Sequence, residues 1–299
     1  MEVFNSLVKF DNSVHPFGFG SRSSANGANG SKMEMTLLLN ALQAIQPLLN
    51  CDIQEHLEIL LPKLEHFATT EVKNVGFKGG YSKETLAAFF DHTLLRPTAT
   101  ESEIVSMCTD AIEYGFASVC VNGRWVSLVR EHLQGTNIQT CAVVGFPLGA
   151  MSTTNKVNET LDCKHNGATE IDMVISIGDV LDGNYTVVQQ DIEAVVQAAN
   201  DVPVKVILET CYLSRIQIVL LCLLCKQAGA AFVKTSTGFG TAGAKVEDVT
   251  LMRLVVGDEV GVKASGGIRD AQTAFAMLNA GATRLGLSAG VQIISEMME

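Results

Sequence analysis

No apolar run in this sequence reaches the roughly 18 residues that a membrane-spanning helix requires. The longest, IQIVLLCLLC (216–225), is interrupted by Gln217 and stops at Lys226, so it reads as a helix buried in protein. Basic residues are also scarce, 21 against 32 acidic ones, for a net charge of −11. That balance argues against nucleic acid or an acidic membrane surface as a main partner. An anionic ligand must then be held by a local set of donors. Paired cysteine motifs are nearly absent. Of the eight cysteines, only Cys222 and Cys225 form a CxxC, with neither a second ligand pair nor a redox-type context, and they read as two buried helix cysteines. The scatter of the others favours reduced thiols and a cytoplasmic protein. An organellar location stays open if residues 1–32 are a cleaved transit peptide, against which Glu2 and Asp11 speak.

What is present is enough for a large core: 299 residues, 47% of them apolar. Residues 1–34, which include FGFGSRSSANGANGSK, have no apolar period and are expected to be disordered. Residues 35–78 carry helical spacing in MTLLLNALQAIQPLLN and IQEHLEILLPKLEHF, with Pro47 and Pro62 as breakers. They are expected to form short helices over the main domain, followed by the linker GFKGGYS. Residues 79–299 form the main domain.

That domain is rhythmic. Four glycines each follow a segment of helical period and precede an apolar one: YGFASVCV (114–121), NGATEIDMVI (166–175), AGAAFVKT (228–235) and AGATRLGL (280–287). Glycine suits the left-handed turn that ends a helix. Between these lie FFDHTLL, QTCAVVGF, VKVILET and VGVKAS, making eight short strands separated by helices. Near-continuous apolar strands alternating with helices imply a parallel sheet covered on both faces. Eight units in about 220 residues predict a (β/α)8 TIM barrel, with the N-terminal segment as a helical extension. A doubly wound open sheet is the rival. Five residues after each repeat glycine stand Cys120, Asp172, Lys234 and Gly286. If the repeats superpose, these four share one level at the carboxyl ends of their strands, where such barrels carry their active sites.

Three charged residues interrupt apolar strands: Asp172, Lys234 and Lys263. A buried charge needs a partner, a shifted pKa or a function. An architectural salt bridge would use one lysine, whereas one carboxylate cannot fully satisfy two, and a second ammonium favours a neutral amine on the first. A neutral lysine attacks carbonyls, and the iminium so formed lets the neighbouring carbon gain or lose a bond. The carboxylate can move the protons this requires, and the set works without metal or other cofactor. Three loops follow successive strands: STGFG (236–240), SGGIR (265–269) and GLSAG (286–290). Their glycines and hydroxyls suit an anion, and together they point to a phosphorylated substrate.

The segments DHTLLRP, VVGFPLG, EIDMVI, FVKTSTGFG, VGVKASGGIRD and GATRLGLSAGV resemble, in order over about residues 80–295, the deoxyribose-phosphate aldolase family in its short bacterial form. The resemblance implies a (β/α)8 class I aldolase that joins acetaldehyde and glyceraldehyde 3-phosphate reversibly into 2-deoxyribose 5-phosphate. It implies that Lys234 forms the Schiff base, that Lys263 perturbs it and transfers protons, and that Asp172 is the proton-relay acid. Gly238, Gly266, Gly267, Arg269, Gly286 and Ser288 fall on its phosphate-loop positions, and Cys120 resembles a pocket cysteine. Asp91 and Thr93, at the end of the first strand, either line the pocket or, for Asp91, cap. His92 reads as a packing residue. Lys205 and Glu209, at the two ends of VKVILET, are expected to form an internal ion pair supporting the lysines. Leu287 departs from the small residue usual there, and could either point outward or crowd the phosphate. The implied partners are the small phosphosugar and acetaldehyde, with a homo-oligomer left open.

Overall fold

Hydroxyl and carboxylate caps start several of the described helices, and glycine follows the end of several. The structure, a computed structural model, describes residues 37–38, 40–42, 45–69 and 81–297. The predicted disordered segment 1–34 lies outside the described residues, as does most of the linker. Thr100 and Ser214 open the helices Glu101–Tyr114 and Arg215–Gln227 through capping boxes with Glu103 and Gln217. Asp270 accepts from the Thr273 N–H at 2.7 Å to open Ala271–Asn279. The four repeat glycines, Gly115, Gly167, Gly229 and Gly281, all take positive φ (70, 100, 79 and 107°), conformations costly for a side chain bearing Cβ.

The described residues below 70 and above 80 belong to two units. In the first, Asn50 Oδ1 accepts from the Ile53 N–H at 3.0 Å and starts the helix Cys51–Thr69. Ile53, Leu57, Leu60 and Leu64 repeat at helical spacing on it and are buried. The expectation that Pro62 breaks this segment is corrected, because the helix runs through it. Proline deprives the Glu58 carbonyl of its partner, a local loss that the buried stripe on either side offsets.

The second unit is the barrel, and the open-sheet alternative is excluded. Its strands are β1 (Phe90–Leu94), β2 (Ser118–Asn122), β3 (Gln139–Val144), β4 (Glu170–Val174), β5 (Val204–Ile207), β6 (Phe232–Lys234), β7 (Gly261–Ser265) and β8 (Arg284–Leu287). All pair in parallel, and β8 closes on β1. Outward residues such as Val119, Ile171, Met173, Val206, Val233 and Val262 are buried. The apolar run at 216–225 lies in the helix Arg215–Gln227, buried along almost its whole length, with Cys222 and Cys225 inside.

Register turns the strands' two-residue period into layers. Each step round the ring lowers the paired residue by one layer: Cys120 pairs with Cys141 and Cys141 with Glu170; Asp172 with Lys205 and Lys205 with Phe232; Lys234 with Lys263 and Lys263 with Arg284. Gly286 pairs with Asp91, and Asp91 with Ser118. Inward tiers of four result. Thr93, Val143, Ile207 and Ser265 stand at the rim. Below them lie the three tiers that build the site, of which the upper holds Cys120, Asp172, Lys234 and Gly286. Next come Asp91, Cys141, Lys205 and Lys263, and lowest are Ser118, Glu170, Phe232 and Arg284. Barrels commonly fill such tiers with Val, Ile and Leu. This one fills them with charge.

Candidate active site

Lys234 is the last residue of β6, so its side chain rises from the upper tier while the chain turns away into a glycine loop. Its ammonium donates to Asp172 Oδ2 at 2.7 Å. Lys263 Nζ donates to the same oxygen, also at 2.7 Å. The other oxygen, Oδ1, accepts from Lys205 Nζ at 2.9 Å and from Cys141 Sγ at 3.1 Å. Asp172 thus carries three lysines and a thiol. Further acids share them. Asp91 pairs with Lys263, lies 3.7 Å from Lys205, and accepts from Arg284 at 2.7 Å. Glu170 accepts from Lys205 at 2.6 Å and from both Arg284 nitrogens at 3.1 and 3.3 Å.

The titration of these groups follows from who surrounds them. Burial pushes the carboxyl of Asp172 up, but Lys205, Lys234 and Lys263 together hold it well below the usual carboxylate range. Asp91 is likewise held low, since Lys263, Lys205 and Arg284 outweigh its burial. Burial opposes charge on Lys263 and Lys205, yet Asp172 with Asp91 for the first, and Asp172 with Glu170 among others for the second, raise both above the ordinary lysine value. Lys263 therefore stands beside Lys234 as a cation at rest.

Above Lys234 lies a cavity of about 420 Å³, bounded by the loops after β6, β7 and β8 and by the end of β1. Of the sequence-predicted residues, Lys234, Thr93, Gly238, Gly266, Gly267, Arg269, Gly286 and Ser288 line it. Gly286 admits no side chain: a Cβ there would lie 3.0 Å from Lys263 Cε and 2.9 Å from Ser265 Cβ. Leu287 contributes to the wall, but strand alternation turns its side chain to the helix side, where it pairs with outward-facing His92. Asp172 and Lys263 lie directly beneath the floor, reached through Lys234.

Other placements need correction. Asp91 neither lines the cavity nor caps a helix: it is the second residue of β1, sealed in the middle tier, because that strand begins only at Phe90. Cys120 and Lys205 are fully buried and off the cavity wall. The expected Lys205–Glu209 pair does not form, since β5 ends at Ile207 and Glu209 turns into a left-handed conformation (φ 57°). Its buried carboxylate instead accepts from the N–H of Thr237, at 3.2 Å, and from its hydroxyl, tying down the loop after β6. His92 packs on Phe116 outside the barrel wall, with Nε2 3.6 Å from Asp110. Among the described residues, the one group of three close metal-ligating side chains is Cys120, Cys141 and Asp172. Lysines already occupy its carboxylate.

Sequence reasoning missed Glu170, Arg284, Arg96 and Thr237. The first two were detectable, because each stands two residues before an upper-tier position and must share its face. Arg96 lines the cavity and pairs with Glu103; it lies inside the motif DHTLLRP, which marks the segment without singling out this residue.

Comparison with known proteins agrees with this geometry. The family model described as DeoC/LacD family aldolase matches residues 85–296. A deoxyribose-phosphate aldolase from Clostridium tetani is 54% identical over 209 residues, 70% of this chain and 97% of its own length. One from Aciduliprofundum boonei is 55% identical over 214 residues, 71% of this chain and 96% of its own. Among solved structures, the tetrameric deoxyribose phosphate aldolase from Aeropyrum pernix superposes with a TM-score of 0.69 at 32% identity, covering 73% of this chain and 93% of that one. A candidate enzyme of the same name from Coccidioides immitis gives 0.74 at 42%, covering 83% and 98%.

Proposed function

Because the chain belongs to the DeoC/LacD family of aldolases, and so is a lyase, we propose that it cleaves 2-deoxy-D-ribose 5-phosphate reversibly into D-glyceraldehyde 3-phosphate and acetaldehyde. Lys234 is the nucleophile. Its uncharged amine adds to the C1 carbonyl of the open-chain sugar, and loss of water leaves an iminium. A base takes the C3 hydroxyl proton, the C2–C3 bond breaks, and its electron pair flows into the iminium to give an enamine. Glyceraldehyde 3-phosphate departs. Protonation at C2 and hydrolysis then release acetaldehyde and restore the amine. Asp172 and Lys263 move these protons, and one observation carries their assignment: a single carboxylate oxygen lies 2.7 Å from both amines, directly below the cavity.

The phosphate is taken by backbone N–H groups of the three glycine loops, at Gly238, Gly266, Gly267 and Gly286, with the Ser288 hydroxyl and Arg269 beside them. The outward side chain of Leu287 leaves that site open. We place the working protein in the cytoplasm on the strength of its eight unpaired cysteines, and as a homo-oligomer by likeness to the Aeropyrum pernix tetramer. Among the described residues no helix is long and apolar enough to cross a membrane.

The test is chemical trapping. Incubation with acetaldehyde followed by borohydride fixes a two-carbon adduct, located by peptide mapping. Modification at Lys234, absent from Lys234→Ala, supports the reading; modification confined to surface lysines refutes it.

A further inference from the structure

The groups facing the barrel axis can be counted strand by strand: Asp91 on β1, Cys120 on β2, Cys141 on β3, Glu170 and Asp172 on β4, Lys205 on β5, Lys234 on β6, Lys263 on β7 and Arg284 on β8. Three acids face four bases, and nearly all are buried. Fully charged, these three tiers carry one uncompensated positive charge in a medium where that is costly. The one other buried carboxylate facing this end among the described residues, Glu209, sits above them and is engaged by the Thr237 N–H and hydroxyl. The three tiers become neutral when one base gives up its proton. A guanidinium does not do so. Lys263 has two carboxylate partners and Lys205 has three. Lys234 has one among the described residues, and it alone of the three lysines reaches the cavity.

We propose that Arg284, in the lowest tier and out of reach of substrate, is a positioning residue for catalysis: its charge is the fourth cation that makes the neutral state of the barrel interior the one in which Lys234 is an uncharged amine. Arg284 does this through Asp91, which it holds at 2.7 Å and which it shares with Lys263. Glu170 sets the count from the opposite side. Without Arg284, three acids face three lysines, and neutrality is reached with Lys234 still protonated. The inference rests on Lys234 being the nucleophile.

The experiment measures the rate of borohydride-trapped acetaldehyde adduct at Lys234 against pH. Arg284→Met moves the midpoint to higher pH, whereas Glu170→Gln, which removes an acid, moves it to lower pH. A unit charge on the order of 10 Å from a titrating group, at an effective dielectric near 20, moves it by about one pH unit, and each shift is expected to be of that order. Arg284→Met with Glu170→Gln returns the midpoint to the parent value, and Arg284→Lys keeps it there. A merely structural pair would show no opposed shifts and no return. Equal midpoints in the parent and both single variants, or shifts of one sign, overturn the proposal. So does a midpoint in Cys120→Ala displaced downward as in Glu170→Gln, because the balancing negative charge would then sit on sulfur. If Arg284→Met does not fold, the downward shift in Glu170→Gln decides alone. Absence of any adduct in the parent protein would instead strike the Schiff-base reading itself.

Discussion

Replacing Asp172 by asparagine separates the making of the nucleophile from the movement of protons. The carboxylate accepts four hydrogen bonds, from Lys234, Lys263, Lys205 and Cys141, at 2.7, 2.7, 2.9 and 3.1 Å. An amide keeps the shape but turns one acceptor into a donor facing ammonium groups. Breaking a buried charge network by removing one member costs about 3–5 kcal/mol. Release of a proton by one lysine relieves part of this, so the lower end applies. Domains are stable by only about 5–15 kcal/mol. With a urea slope of about 3 kcal/mol per molar, the unfolding midpoint should fall by about 1 M. Turnover should drop by about 10²–10⁴, the usual contribution of a positioned proton-transfer group. Adduct formation with acetaldehyde should persist, because losing an acid favours an uncharged amine. The assays are urea titration by circular dichroism, coupled detection of glyceraldehyde 3-phosphate, and borohydride trapping of the same preparation. Turnover within about tenfold of the parent, or loss of trapping from a folded variant, would refute the assignment of Asp172 as the proton carrier.

Lys263→Leu removes a cation two bonds of the same network away from Lys234, and should move the acid limb of the pH–rate profile upward by at least one pH unit; an unmoved profile contradicts its role. Glu209→Ala frees the loop after β6 from its clamp on Thr237, and should raise KM for the phosphosugar about tenfold with kcat little changed, the loss expected for a hydrogen bond to a charged group. An equal effect on unphosphorylated deoxyribose would place Glu209 outside phosphate binding. Stability should also depend on pH in a defined sense. Asp172 and Asp91 are held low, so their contribution is present above about pH 4 and is lost as pH falls further. His92 is depressed by burial, its ion pair with Asp110 opposing, so stability erodes from about pH 6.5 downward. Lys263 and Lys205 are raised, so theirs is present below about pH 10.4 and is lost as pH rises beyond. Burial also raises the thiols of Cys108, Cys141, Cys163, Cys222 and Cys225, so stability begins to fall above about pH 8.5. Urea midpoints should therefore be flat from about pH 7 to 8.5 and fall on both sides; a rise on either side contradicts these shifts.

The barrel was legible because its even-numbered strands are written to one rule, helix, left-handed glycine, then an inward residue five places on. That rule put Asp172 and Lys234 on one tier before any coordinates. The odd-numbered strands lack the glycine marker, and errors collected there. Asp91 was set at a strand end although β1 begins one residue before it. Lys205 was paired along its own strand with Glu209, whereas tiers pair across strands, with Asp172 and Glu170. Glu209 itself escapes strand logic, since a left-handed residue just past the strand aims its side chain where no alternation predicts. Glu170 and Arg284 were overlooked for a different reason. Each stands lower in the barrel than the rim, and attention to chemistry favours the rim.

Stability alone does not explain a barrel interior built of seven charges. Exchanging buried ion pairs for well-packed aliphatic side chains is often neutral or favourable by about 1–4 kcal/mol, and barrels of this architecture routinely make that choice. What aliphatic packing cannot supply is an unequal distribution of partners. Lys205, Lys263 and Arg284 are each gripped by two or more carboxylates and are fixed in place. Among the described residues Lys234 has one carboxylate partner, and it stands at the top, facing the cavity. On the proposed reading, the network that holds three cations in place leaves Lys234 free to swing onto a carbonyl, without the reorganisation that water would demand. On this view the lower tiers are part of the catalyst, although no substrate atom touches them.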